Sequence, residues 1–276
     1  MTRPSVTISP DQRAAILGRT GSGKTTLARL LVGGYRQLVA LDPKHRLELP
    51  GTVTIVGARE FRNTYPQRAR RVIVRLDLEG GAWDEADEII RRVLAYGRTA
   101  LLIDESADLA TPERIVPAYR RVMIQGRELL VPTFSCSQRP RQLHNTVLSE
   151  SEHLFVFDLA LRTDRAKVAE IAGDELMTRA DDHFGTEHGF AYYGPETRGA
   201  VVWCPPLDLP ASQLPRAAIP SRPAGAGGVH GQGQPGESGR GDAPGHGRDH
   251  RREGAGSLLP DPRRQRPGAI GLAKPG

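Results

Sequence analysis

Residues Gly18-Arg19-Thr20-Gly21-Ser22-Gly23-Lys24-Thr25 have the form G-x-x-x-x-G-K-[ST]. That pattern builds a phosphate-binding loop when it joins a strand to a helix. Both flanks are present. The apolar run Ala14 to Leu17 leads in, and Leu27-Ala28-Arg29-Leu30-Leu31-Val32 leads out. The first reads as a buried strand, the second as the opening turns of a helix. Glycines let the backbone take positive φ and come close to a phosphate. Successive N–H groups then point at the β-phosphate, helped by the positive end of the helix dipole. Gly18 to Thr25, with Thr26, are therefore the expected nucleotide-binding residues. Lys24 is expected to reach the β- and γ-phosphates, and the Thr25 hydroxyl to ligate Mg²⁺.

Around this loop the chain alternates strands and helices. Strands are expected at Val6 to Ile8, Gln37 to Leu41, Val53 to Val56, Arg71 to Leu76, Ala100 to Ile103, Val131 to Ser135 and His153 to Leu159. Helices are expected at Asp84 to Tyr96, Arg114 to Leu129, Arg141 to Ser149 and Thr163 to Ile171. Thr111 is read as the N-cap of the second, with Pro112 as its first residue. Arg59 to Arg71 reads as a surface helix or an exposed basic loop. Gly189 to Tyr193 and Gly199 to Trp203 flank a turn and read as a β-hairpin. Such alternation predicts an α/β fold of the P-loop NTPase kind. A mainly parallel sheet carries helices on both faces, and a C-terminal hairpin adds antiparallel strands at one edge. Past Pro210 the composition shifts to Gly, Pro, Arg, Ala and Ser. Residues 211–276 cannot bury enough apolar surface to order themselves. The division is thus an ATPase domain over 1–210 and a disordered basic tail over 211–276.

Ala100-Leu101-Leu102-Ile103 ends in Asp104-Glu105, a Walker B pattern. A carboxylate at that strand's end can hold the water shell of Mg²⁺, the role expected of Asp104. A second carboxylate, free of the metal, can orient the attacking water as general base, the role expected of Glu105. Gln138, at the end of the next strand, is placed to sense the γ-phosphate or align the water. Arg127, near a helix end, is a candidate for an arginine finger reaching a neighbouring subunit's nucleotide. Spacing alone leaves Arg120, Arg121 and Arg139 as rivals.

Four segments, GRTGSGKT at 18–25, LVALDPK at 38–44, LLIDE at 101–105 and SCSQRP at 135–140, resemble those of the FtsK–HerA superfamily of P-loop motor ATPases. The resemblance spans roughly Ala14 to Leu159. It implies a RecA-like sheet, a homo-oligomeric (hexameric) ring and ATP-driven movement of double-stranded DNA. It also implies that Gln138 is the sensor and Arg127 the trans-acting arginine. Neither the winged helix of FtsK nor the β-barrel of HerA is apparent, so the chain reads as a minimal motor core. A protein partner that loads DNA is one implication of that economy.

Lys and Arg number 38 against 32 Asp and Glu, a net charge of +6, which suits an anionic partner. Cys136 and Cys204 form no disulfide framework and no metal spacing, in keeping with a cytoplasmic home. No apolar run reaches membrane-spanning length. No guanine-reading N/T-K-x-D motif is evident, so ATP is the expected nucleotide and Mg²⁺ its companion. Two other functions compete with a DNA translocase. One is a nucleotide-gated assembly ATPase, like the Zot-type morphogenesis proteins, acting on proteins without gripping DNA. The other is a slow, binding-only regulator, which the intact Glu105 opposes. Asp42 and Lys44 read as a strand-end turn fixed by Pro43, or as nucleotide-positioning residues. His183 and His188 carry no metal spacing. Cys136 reads as a small buried side chain. Tyr192, Tyr193 and Trp203 read as hairpin packing, with base stacking as the lesser alternative.

Overall fold

β-branched and aliphatic runs with alternate residues aimed at opposite faces make strands that are buried on both sides. The computed structural model describes residues 5–77, 81–178, 188–207 and 269–271. Its strands are β1 (Ser5–Thr7), β2 (Arg13–Leu17), β3 (Leu38–Asp42), β4 (Val53–Val56), β5 (Arg71–Arg75), β6 (Ala100–Ile103), β7 (Thr133–Ser137), β8 (His153–Val156), β9 (Phe190–Tyr193), β10 (Val202–Cys204) and β11 (Ala269–Gly271). Nine of them form one sheet in the order β10-β9-β8-β2-β7-β6-β3-β5-β4. β8 through β4 run parallel, while β9 and β10 are antiparallel additions at one edge. This is the expected mainly parallel sheet with a terminal hairpin.

The helices are α1 (Lys24–Gly33), α2 (Gly57–Thr64), α3 (Ala82–Tyr96), α4 (Pro117–Gln125), α5 (Asn145–Ser149), α6 (Arg162–Ala172) and α7 (Glu175–Thr178). The sheet divides the interior in two. On one face Ala15, Leu17, Val39 and Leu41 pack with Ile89, Val93, Tyr119 and Val122 of α3 and α4. On the other, Ala14, Ile16, Leu38 and Ala40 pack with Leu27, Ala28 and Leu31 of α1. Residues next to each other along β2 and β3 thus serve different cores, as a period of two requires.

Three boundaries differ from the sequence reading. α4 begins at Pro117 and not at Pro112, with Val116 as its cap. Thr111 instead spends its hydroxyl on Arg114, accepting from its N–H at 3.2 Å, and Ala110 bridges to Ile115. Either proline can open a helix; this local turn consumes the first. The helix also stops at Gln125, leaving Arg127 in the turn that follows. The stretch read as a helix over 141–149 is broken, because Leu143 and His144 are extended before α5. The ambiguous basic segment is the amphipathic α2. It buries Ala58 and Phe61 and leaves Arg59 and Arg62 outside.

Most of the tail, 211–268 and 272–276, lies outside the described residues, as do 208–210 and His183. Within the tail, β11 pairs antiparallel with β1, Val6 opposite Ile270. The hairpin aromatics pack inward as expected. Tyr192 is buried with its ring centroid 5.0 Å from that of Phe155, and Trp203 is buried. Among the described residues no helix is long and apolar enough to cross a membrane.

Candidate nucleotide and hydrolysis site

The loop from β2 to α1 takes its shape from backbone conformations that side chains resist. Gly18 has φ +153°, and a Cβ there would stand 2.6 Å from Phe157 Cβ and 2.8 Å from Ser22 Oγ. Gly23 caps α1 in the left-handed region at φ +107°, with Phe157 Cε1 3.1 Å from where its Cβ would be. The loop is tied down on two sides. Gly18 N–H donates to Ser137 O at 3.1 Å, and Arg19 N–H to Asp158 O at 2.8 Å. The Arg19 side chain also pairs with the Asp158 carboxylate at 2.8 Å. Asp158 was not singled out from sequence, since a lone acid after an apolar strand carries no pattern.

Lys24, Thr25 and Thr26 occupy the first turn of α1. The Lys24 ammonium donates to Arg19 O at 2.8 Å across the loop. Burial holds its pKa below the usual lysine range, against the attraction of Cys136, Glu105 and Asp104. The Ser22 hydroxyl is buried with no hydrogen-bond partner. A buried polar group of that kind is normally satisfied, and here it lies inside the loop built for an anion.

Asp104 and Glu105 follow β6, on the strand adjoining β7. Glu105 has φ +66° and ψ +67° and is 7% exposed. A buried carboxylate in a left-handed conformation is costly and persists only where its surroundings fix it. They do: Lys44 Nζ lies 2.7 Å from Oε2, and Gln138 Nε2 donates to the same oxygen at 2.8 Å. Gln138 N–H reaches Oε1 at 3.3 Å, and Ser137 Oγ at 3.5 Å. The other end of Gln138 accepts from Thr20 Oγ1 at 2.6 Å. One amide therefore bridges the phosphate loop and the acid.

Burial, with the charges of Asp42 and Glu105, pushes Asp104 up to about 6, against Lys24 and Lys44. Three carboxylates share this end of the sheet, a surplus of negative charge that a bound cation would relieve. Among the described residues no group of three or more His, Cys, Asp and Glu forms a metal cage. Nucleotide-bound Mg²⁺ does not need one, because it takes only one or two protein ligands besides phosphate and water. Thr25 and Asp104 fit that pattern.

The Asp-Pro-Lys turn resolves into two roles. Asp42 is fully buried and accepts from Leu47 N–H at 2.9 Å and Arg46 N–H at 3.2 Å, so it fixes the turn. Lys44 belongs to the site through Glu105. Cys136 is buried and its thiol is pushed well above the usual range, so it is no nucleophile. Arg139 is committed to the buried Asp164 at 2.9 Å. Arg127 does not join this cluster. It stands before β7, at the opposite ends of the strands, loosely facing Asp11 at 3.7 Å and Glu152 at 3.8 Å.

Fold and site together define the class: a P-loop ATP hydrolase with a RecA-like architecture. The ABC transporter family profile matches residues 1–80. That match stops short of Asp104 and Glu105 and covers the phosphate loop that such proteins share. Among curated proteins, the chain is 24% identical over 159 residues to DNA packaging ATPase P9 of Enterobacteria phage PRD1, covering 57% of this chain and 68% of that protein. Among solved structures, it is similar to the genome packaging NTPase B204 from Sulfolobus turreted icosahedral virus 2 in complex with ATPγS. There the TM-score is 0.55 and the identity 17%, with 71% of this chain and 98% of B204 covered. The same protein in complex with AMPPCP gives a TM-score of 0.55 over 72% of this chain and 99% of that one. The likeness to B204 is one of fold.

Proposed function

We propose that this protein is a Mg²⁺-dependent ATPase that moves double-stranded DNA, in packaging or transfer, as a homo-oligomeric ring. The observation that carries the reading is the Gln138 bridge. It ties Glu105 to Thr20 of the phosphate loop, so the base and the phosphate site are set by one side chain. Packaging as the process is supported by the resemblance to the P9 protein.

Lys24 would place its charge on the β- and γ-phosphates, and the loop's N–H groups would hold the β-phosphate. Thr25 and Asp104 would hold Mg²⁺, which supplies charge neutralisation on the phosphate oxygens. Glu105 orients the attacking water and takes its proton as general base. Gln138, bonded to that carboxylate, is the positioning residue that couples it to the γ-phosphate. Arg127 of a neighbouring subunit would add positive charge in the transition state, an effect of about 10³–10⁵ in rate for such fingers.

Steady-state ATP hydrolysis with and without long double-stranded DNA, at low and moderate salt, tests the reading. A several-fold rise with DNA, weakened by salt and absent in Glu105→Gln, supports it. Hydrolysis indifferent to DNA, with no DNA binding at low salt, rejects it.

A further inference from the structure

The ends of the strands opposite the phosphate loop carry a row of arginines that stand apart from the subunit's own hydrolysis site. Arg36 lies two residues before β3, Arg68 and Arg70 just before β5, Arg98 two residues before β6, and Arg127 in the turn before β7. These four strands are immediate neighbours in the sheet. Their register aligns the starts: Leu38 pairs with both Arg71 and Ala100. The backbone bonds run between the same segments, Leu38 N–H to Arg70 O, Ala100 N–H to Gln37 O, and Arg98 N–H to Leu129 O. At about 4.8 Å per strand, four starts span about 14 Å.

All five arginines are exposed. The segments 34–37, 65–70 and 96–99 contain no Asp or Glu. Among the described residues of these strand ends, acids stand at the far end of the row, where Asp11 and Glu152 face Arg127 and Glu128 adjoins it. The cations of this row are all guanidinium groups, with no lysine among these segments. A guanidinium binds phosphate oxygens in a bidentate fork that ammonium cannot match.

We infer that Arg36, Arg68 and Arg70 form a surface that grips the phosphate backbone of double-stranded DNA. The assignment rests on the DNA-motor reading and says which face of the subunit meets the DNA. It puts DNA and the subunit's own nucleotide at opposite ends of the sheet, so the strands connect the two.

The test uses the full chain with Arg36→Gln, Arg68→Gln and Arg70→Gln combined, none of them at the hydrolysis site. Binding to a random-sequence DNA duplex is measured across salt concentrations, alongside DNA-free ATP turnover. We expect the salt slope to become shallower by up to about 3, near one per lost phosphate contact, with DNA-free turnover unchanged. A control removing Arg59, Arg91 and Arg162, exposed elsewhere, should change the slope little. The inference is overturned if the wild type binds duplex and the triple variant binds it equally, or if the control weakens binding as much. Loss of DNA-free turnover with intact DNA binding also overturns it, because the row would then serve a neighbour's nucleotide. A wild type that does not bind duplex at all rejects the motor reading itself.

Discussion

Lys44 and Glu105 form an ion pair at 2.7 Å between the turn after β3 and the end of β6. The carboxylate is nearly buried and the ammonium about a third exposed, so solvent screens the pair from one side only. Lys44→Met should leave Glu105 with Gln138 as its main partner. The loss of one charged hydrogen bond to a buried acid costs about 1–3 kcal/mol. Thermal unfolding should show a lower midpoint, and ATP turnover should fall because the proposed base is less firmly placed. Unchanged values for both would mean that the pair is idle.

Glu105→Gln keeps the shape of the side chain and removes the proposed base. Turnover should drop by about 10²–10⁴, the usual share of general base catalysis. Nucleotide affinity, measured by calorimetry, should change little, since the phosphate loop is untouched. A drop in affinity of similar size would make Glu105 a binding residue.

Gly18→Ala adds a methyl group where Phe157 Cβ is 2.6 Å away, on a backbone at φ +153°. The strain of such a residue is about 1–3 kcal/mol before any clash. Urea unfolding should show the loss, and nucleotide binding should fall with it. Gly33→Ala meets no atom within 4 Å. It is the control expected to keep both.

His153 supplies a pH dependence of stability remote from the nucleotide. Tyr192 Oη donates to Glu196, so its one proton is used and His153 Nδ1–H donates to Tyr192 at 2.8 Å. Nε2 is buried without a partner, and a proton there would have no acceptor. Burial lowers the pKa of this imidazole, against the charges of Glu196 and Glu152. The unfolded chain then binds the extra proton more readily. Stability contributed by the neutral ring is present above about 6.5 and is lost as pH falls through the lower folded value. Urea midpoints at pH 7.5 and 5.5 should fall apart in the wild type and move closer in His153→Gln.

The phosphate loop, the strand ends at Asp104 and Gln138, and the order of strands and helices were legible because each is a local pattern. Two readings of the same residues stayed open until the fold decided them. Asp42 and Lys44 sit two apart in one turn, yet one caps backbone and the other reaches Glu105, 61 residues away. No spacing rule ties residues so far apart. Asp158 is invisible for the same reason: its partner Arg19 comes from a loop on the neighbouring strand. The start of α4 was misplaced because Thr111-Pro112, a capping hydroxyl before a proline, carries a stronger local signal than Val116-Pro117. Only the Ala110–Ile115 bridge separates them.

The peptide between Ser137 and Gln138 faces both halves of the site. Its carbonyl receives Gly18 N–H, and its N–H meets the Glu105 carboxylate. A peptide group is a flat, stiff plate. It cannot swivel toward one neighbour without pulling away from the other. β7 thus holds the loop and the acid like the two pans of a balance. Any event that tilts this one plate, whether from the nucleotide side or along the strand from its far end, is felt by both pans at once.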